Sequence, residues 1–413
     1  MNTNKKIKID LKKINGYIIA IFVILLLNLN ICYLVMPQYP IAFGLAIDDI
    51  CLLFSLGFFA YTMFNFRRSN VTFVFRWEIV MVIVLALLSA YAGTKSYSQP
   101  FMLGFRPQRH WLVFMLLYFP IRLLLKRGQI TVSGLSKMLY VYCFLYFAVT
   151  ILQYLLHDVA KFTYVLQNER YDDARFYFED CYVMLLLSIA LSDFFNARKK
   201  FSLIIVGICI FFLVVVAKGR MAVVSVALST LIALILSKGS SKQKFFRMVL
   251  VGIAAVCVLQ TSMVQDLILD ASGGKHTGST SQIREEGREF YMEELKESPI
   301  IGKGMINTEW PTATKLGGVD DYIYVVDNGM FGMAFYYGGI GVLWWLILTF
   351  KCMRMSYVLL KRNRNFGYIC YFMTTIFGCV TLPPNCFENS LAFVLGMAMM
   401  EHEYGITMKL GRR

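Results

Sequence analysis

Charge is what this sequence has least of. Only 16% of its 413 residues are Asp, Glu, Lys or Arg, against about a quarter in soluble domains, which excludes an ordinary water-soluble globule. Histidine is scarce too: the four are His110, His157, His276 and His402. None stands at ligand spacing from another, so no metal site is expected. The ten cysteines form no CxxC pair. Most fall inside apolar runs (Cys51, Cys143, Cys209, Cys257), which argues against a disulfide framework. No internal repeat is visible. No small-residue cleavage site follows the first apolar run, so 16–36 reads as a span rather than a secretory signal.

What fills the space is hydrocarbon: 58% of residues are hydrophobic and the mean hydropathy is +0.59. Runs such as 16–36 and 201–217 approach the roughly 20 apolar residues that a bilayer core demands. Without water, backbone groups must be satisfied inside a helix or a closed barrel. Barrel strands alternate apolar and polar residues, and these runs do not. The fold class expected is an all-α polytopic membrane protein forming one integral domain, 1–413.

Twelve spans are expected, at about 16–36, 43–65, 78–94, 108–125, 135–156, 176–196, 201–217, 221–237, 248–265, 328–350, 366–383 and 388–404. The net charge of +15 is spread over small clusters at alternate junctions, among them KKIKIDLKK (5–13), KRGQ (126–129), RKK (198–200), SKGSSKQKFFR (237–247) and the terminal KLGRR. The positive-inside rule puts these clusters and both termini in the cytoplasm. No long basic arm or aromatic-basic module accompanies them, so nucleic acid is not an expected partner. The bilayer is.

Three outward loops are then more than connectors: 95–107, part of which is read as dipping back into the membrane, 157–175, and 266–327. The last is too long to be a simple link. It opens with a Gly/Ser/Thr-rich stretch and continues as REEGREFYMEELKESP, whose spacing predicts a short amphipathic helix ended by Pro299. IIGKG follows as a glycine turn.

Charged groups at outer membrane edges are few, and each has two readings. Arg220, in VVVAKGRMAVVSV, lies between two apolar runs with almost no loop. It either marks a cavity or snorkels beside Lys218. Arg284 and Arg288 offer planar donor forks suited to phosphate, or else pair along a solvated helix face with Glu285, Glu286 and Glu289. Arg170 and Arg175 have Asp172 and Asp173 as ready partners, and Arg106 and Arg109 edge the fourth span. Asp48, Asp49, Glu179 and Asp180 sit near the outer lip. Asp327 and Asn328 open the tenth span, where capping of free amides already explains a carboxylate. Gly338, Gly339 and Gly341 are expected to let another helix approach closely. Trp310, Tyr322 and Tyr324 either stack on sugars or anchor at the interface.

The order of these elements resembles the O-antigen polymerase and O-antigen ligase superfamily of bacterial membrane glycosyltransferases, across roughly residues 100–400. An Arg stands between two spans (KGRM), and a large outward loop follows. Arg284 precedes PIIGKG (299–304) by fifteen residues, and the loop closes on DNGMFGMAFYYGGIG. Ligases usually carry His-Asn where this chain has Asp327-Asn328, which favours a polymerase. The resemblance implies a GT-C-like enzyme without a cofactor, in the bacterial cytoplasmic membrane. It would transfer a glycan, inverting the anomeric centre, from undecaprenyl pyrophosphate to another lipid-linked repeat unit at the outer face, for O-antigen, capsule or exopolysaccharide. Arg220, Arg284 and Asp327 would be catalytic. Arg288, Arg175, Arg170, Arg109, Asn328 and Trp310 would bind substrate, and a chain-length regulator is implied as a partner. The rival readings are a ligase and a non-enzymatic flippase or transporter of lipid-linked oligosaccharide.

Overall fold

Pro-poor runs of Leu, Ile, Val and Phe fold as helices, because each amide in lipid must find the carbonyl four residues back. The computed structural model describes residues 15–37, 40–42, 44–67, 71–170, 173–197, 200–237, 249, 252, 280–307, 309–311, 325–363, 365–380 and 387–410. Nearly all of the ninth expected span, 248–265, lies outside the described residues.

Helix α1 (Gly16–Asn28) starts at Asn15, whose side chain accepts from the Tyr17 amide at 2.9 Å. The first expected span does not run straight through to 36. Asn30, Ile31, Cys32 and Tyr33 all take left-handed φ values, from 49° to 63°. Contacts remote in sequence hold that turn: the Tyr164 amide donates to the Tyr33 carbonyl (2.8 Å) and the Glu179 amide to the Tyr33 hydroxyl (2.9 Å). A hairpin, β1 (Pro40–Ala42) with β2 (Leu45–Ala46), leads into α2 (Ile47–Asn65). Next come α3 (Arg76–Tyr97), the short α4 (Phe101–Phe105), a 3-10 turn, α5 (Arg109–Leu116) and α6 (Tyr118–Lys126). The expected span 108–125 is therefore divided into two helices at Leu117. Pro120 has no amide to offer the Leu116 carbonyl.

Helix α7 (Val132–Leu155), capped by the Thr131 hydroxyl, is followed by a second hairpin, β3 (Gln167–Arg170) with β4 (Asp173–Phe176). The sequence reading anticipated neither hairpin. Then come α8 (Cys181–Ala197), α9 (Lys200–Phe211), a π turn (Phe212–Val216), α10 (Arg220–Leu236), α11 (Thr280–Leu295), α12 (Gly329–Asn363), α13 (Gly367–Gly378) and α14 (Phe387–Leu410). The protein is mostly helical. Helices α2, α3, α7 and α12 are long and apolar enough to cross a membrane, and α1, α8, α9 and α10 are shorter apolar helices.

Helix α12 is the centrepiece, touching α3, α11, α13 and α14. Trp111 wedges between its Tyr337 (ring centroids 5.2 Å apart) and Trp344 (5.6 Å). The Trp344 indole N–H donates to the Glu78 carbonyl at 2.7 Å, and Lys351 pairs with the Glu78 carboxylate. Helices α6 and α14 are pinned by a buried pair, Arg122 Nε to Glu401 Oε1 at 2.7 Å, with Tyr118 donating to the same carboxylate. Helices α10 and α13 run antiparallel. Lys361, just before α13, donates to the Leu236 carbonyl, and Thr230 meets Cys370 at 3.4 Å. Counting back ten residues from Thr230 brings the backbone of Arg220 level with Cys379 and Val380, at the end where α12 begins: the Met330 amide donates to the Cys379 carbonyl at 3.0 Å.

Candidate functional site

The site is built around a break in α12. At Gly338 the backbone adopts φ 62° and ψ −166°, a conformation essentially reserved for glycine. A Cβ there would sit closer than 3.0 Å to the Ile300 carbonyl. The expectation that these glycines admit a neighbouring helix is therefore corrected. Gly338 breaks its own helix and admits the PIIGKG run, a turn in which Gly302 N donates back to Ser298 O (2.9 Å). The break is hydrogen-bonded to that turn: Gly339 N donates to Pro299 O (2.8 Å), Ile340 N to Ile300 O (3.2 Å) and Lys303 N to Phe335 O (2.7 Å). On its other side the run presses on α3, where Gly304 (φ 88°) meets the backbone of Ser89 and Gly93. The Met305 amide donates to Ser89 Oγ at 2.9 Å. Gln99 accepts from the Asn307 amide and donates to the Met305 carbonyl, both at 2.9 Å.

The turn joins α11, which packs on the first turns of α12. Helix α11 ends at Leu295, before Pro299 is reached, because Lys296 and Ser298 close back on Glu293 and Leu295. Its contacts step along α12 in parallel register. The Arg288 guanidinium lies 5.7 Å from the centre of the Phe331 ring, and the Tyr291 ring lies 4.8 Å from that of Phe335. The Arg288 Nε is buried and has no hydrogen-bond partner among the described residues.

Asp327 and Asn328 lie on a 3-10 turn (Val325–Asn328) that runs into α12 and touches α11. Asn328 is fully buried and Asp327 partly so. Burial, with the Asp327 carboxylate adding to it, pushes the Tyr291 hydroxyl pKa up. Arg284 stands one turn before Arg288 on α11, and Arg220 is the first residue of α10. The side chains of both lie outside the described residues.

The other candidates stand elsewhere. Arg109 is paired with Asp49 at 3.0 Å. Arg106 grips Glu309 through both carboxylate oxygens, at 2.8 and 2.7 Å. Arg175 lies in the second hairpin, 4.3 Å over the Tyr177 ring. Arg170 faces Asp173 in the hairpin register, with its side chain outside the described residues, as are Tyr322 and Tyr324. Trp310 is partly buried, and its indole N–H has no partner among the described residues. Sequence reasoning missed Tyr291 and Lys303. The three-residue step from Arg288 to Tyr291 to Glu294, on one helical face, was the signal that could have found the first.

Arg288, Tyr291 and Asp327 thus gather where α11, α12 and the turn between them meet. A guanidinium offers a donor fork to an anion, and a carboxylate offers an acceptor for a hydroxyl proton. Compared with known proteins, the chain matches no protein-family model and no curated protein.

Proposed function

We propose that the chain is a bacterial cytoplasmic-membrane glycosyltransferase of the polymerase kind. It carries twelve spans with both termini in the cytoplasm, and its site opens to the outer face. Its donor and acceptor are glycan repeat units on undecaprenyl pyrophosphate. The observation that carries the reading is the docking of α11, which brings Arg288 and Tyr291 against the turn bearing Asp327, at the end where Arg220 begins its helix.

In this reading the Asp327 carboxylate accepts the proton of the acceptor's sugar hydroxyl. The hydroxyl oxygen forms the new bond to the donor's anomeric carbon with inversion. The bond from that carbon to the phosphate oxygen breaks, and the electron pair leaves with the lipid pyrophosphate. Arg288, Arg284 and Arg220 meet the charge that develops on the leaving group. Each such charge-assisted hydrogen bond contributes about 1.5–3 kcal/mol, of which only the part gained in the transition state accelerates the reaction.

A flippase or transporter reading could point to the broken α12, since transporters bind cargo at broken helices. Here the freed backbone groups at the break are bonded to residues 299–303 of the same chain, so the break itself gives that reading no support. The test uses purified protein in nanodiscs with a lipid-linked repeat unit. The expected product is a ladder of extended glycans, reduced about tenfold or more by Arg288→Ala and by Asp327→Asn. No ladder from the unaltered protein, or an unchanged ladder from both variants, would sink the proposal.

A further inference from the structure

Lys303, the lysine of the PIIGKG run, has no part in the chemistry above, yet it is only 6% exposed. A buried ammonium is costly unless paired. Its Nζ lies 3.0 Å from Glu294, in the last turn of α11, and also bonds Glu297, in the turn just after it. Its own amide donates to the Phe335 carbonyl of α12. One residue therefore ties the end of the outer helix, the turn in the break and the long helix together. Glu294 falls in register with the two contacts before it: Arg288 meets Phe331, Tyr291 meets Phe335, and Glu294 meets Lys303. An exposed ion pair would contribute little. This one differs because the cation is buried and its charge is satisfied by these carboxylates.

We infer that Lys303 is a positioning residue: by gripping Glu294 at the far end of α11 and Glu297 in the turn that follows, it fixes the register that sets Arg288 and Tyr291 against the Asp327 turn. Only the catalytic consequence of this inference rests on the transferase reading; the geometry does not.

The experiment pairs hydrogen exchange with the transfer assay on the full chain in nanodiscs. Lys303→Met keeps the volume and removes the charge; Lys303→Arg keeps the charge. Amides of 288–297 should exchange about tenfold faster in Lys303→Met, and within about threefold of the unaltered rate in Lys303→Arg. In the transfer assay kcat should fall about tenfold in Lys303→Met, with KM for the lipid-linked acceptor within about threefold, and Lys303→Arg should restore it. Unchanged exchange in Lys303→Met overturns the inference, and so does a loosened helix with unaltered kcat. If the unaltered protein transfers nothing, the transferase reading falls and the exchange result alone decides whether Lys303 holds the register. Should Lys303→Met fail to fold, Glu297→Gln, an exposed change that leaves Glu294 in place, should speed exchange about threefold. No acceleration there also overturns it.

Discussion

Gly338→Ala separates two accounts of the glycines by the sign of its effect. If Gly338 lay in an unbroken helix, alanine would stabilise that helix by up to about 1 kcal/mol. The observed backbone, φ 62° and ψ −166°, reverses the expectation. The new Cβ would stand closer than 3.0 Å to the Ile300 carbonyl and to Gly302 N, so either the backbone is strained or the turn at 299–303 moves away. Strain of this kind costs about 1–3 kcal/mol. Displacing the turn endangers the bonds from Gly339 N to Pro299 O, Ile340 N to Ile300 O and Lys303 N to Phe335 O. At about 0.5–1.5 kcal/mol each, those three amount to about 1.5–4.5 kcal/mol. The turn follows directly on α11, so the damage should reach the site. Hydrogen exchange at Gly339, Ile340 and Lys303 reads it directly, with loss of protection and of glycan extension expected. Full protection at these amides, or a rise in melting temperature, would refute the reasoning.

Arg122 and Glu401 are 6% and 2% exposed in their side chains. Arg122→Met should therefore cost about 3–5 kcal/mol in thermal unfolding in detergent, and adding Glu401→Leu should recover most of it. A double variant no better than the single would contradict this. Arg109 and Asp49 are each about one-third exposed, so Arg109→Gln should lower stability by less than about 1 kcal/mol in the same assay. The docking of α11 should be flat with pH across the neutral range. Its bond to Lys303 holds the Glu297 pKa below the ordinary 4.5, so that contribution is present above 4.5 and is lost as pH falls through the lowered value. Burial works against the Lys303 charge, but its bonds to Glu297 and Glu294 outweigh this and hold its pKa above 10.5. That contribution is present below 10.5 and is lost as pH rises through the raised value. Exchange of α11 amides, corrected for the intrinsic pH dependence, should rise only in strong acid or strong base; a step near pH 7 would show that another group controls the docking.

Much of the helical framework was legible in the chain, because hydropathy acts locally. A run such as Arg76–Tyr97 has nowhere to satisfy its backbone in lipid except within itself, and it is one helix. The amphipathic stretch around REEGREF likewise reads as a helix from its own spacing, and it is one, Thr280–Leu295. Arg288 and Asp327 could be named as candidates because charges at an apolar edge are few. The pairing of Arg109 with Asp49, by contrast, joins residues sixty positions apart, and no local pattern announces it. The left-handed turn at Asn30–Tyr33 is similarly held by Tyr164 and Glu179.

By its own composition and periodicity the sequence determined a helical, apolar architecture, the amphipathic helix α11, and the few charges from which a site could be made, since these depend on each residue and its near neighbours. Only the tertiary structure decided that Gly338 breaks its helix, that PIIGKG fills the break, and that Lys303 bonds Glu294 and Glu297. Those outcomes depend on backbone groups from distant segments meeting at hydrogen-bond distance, and a linear pattern carries no record of that.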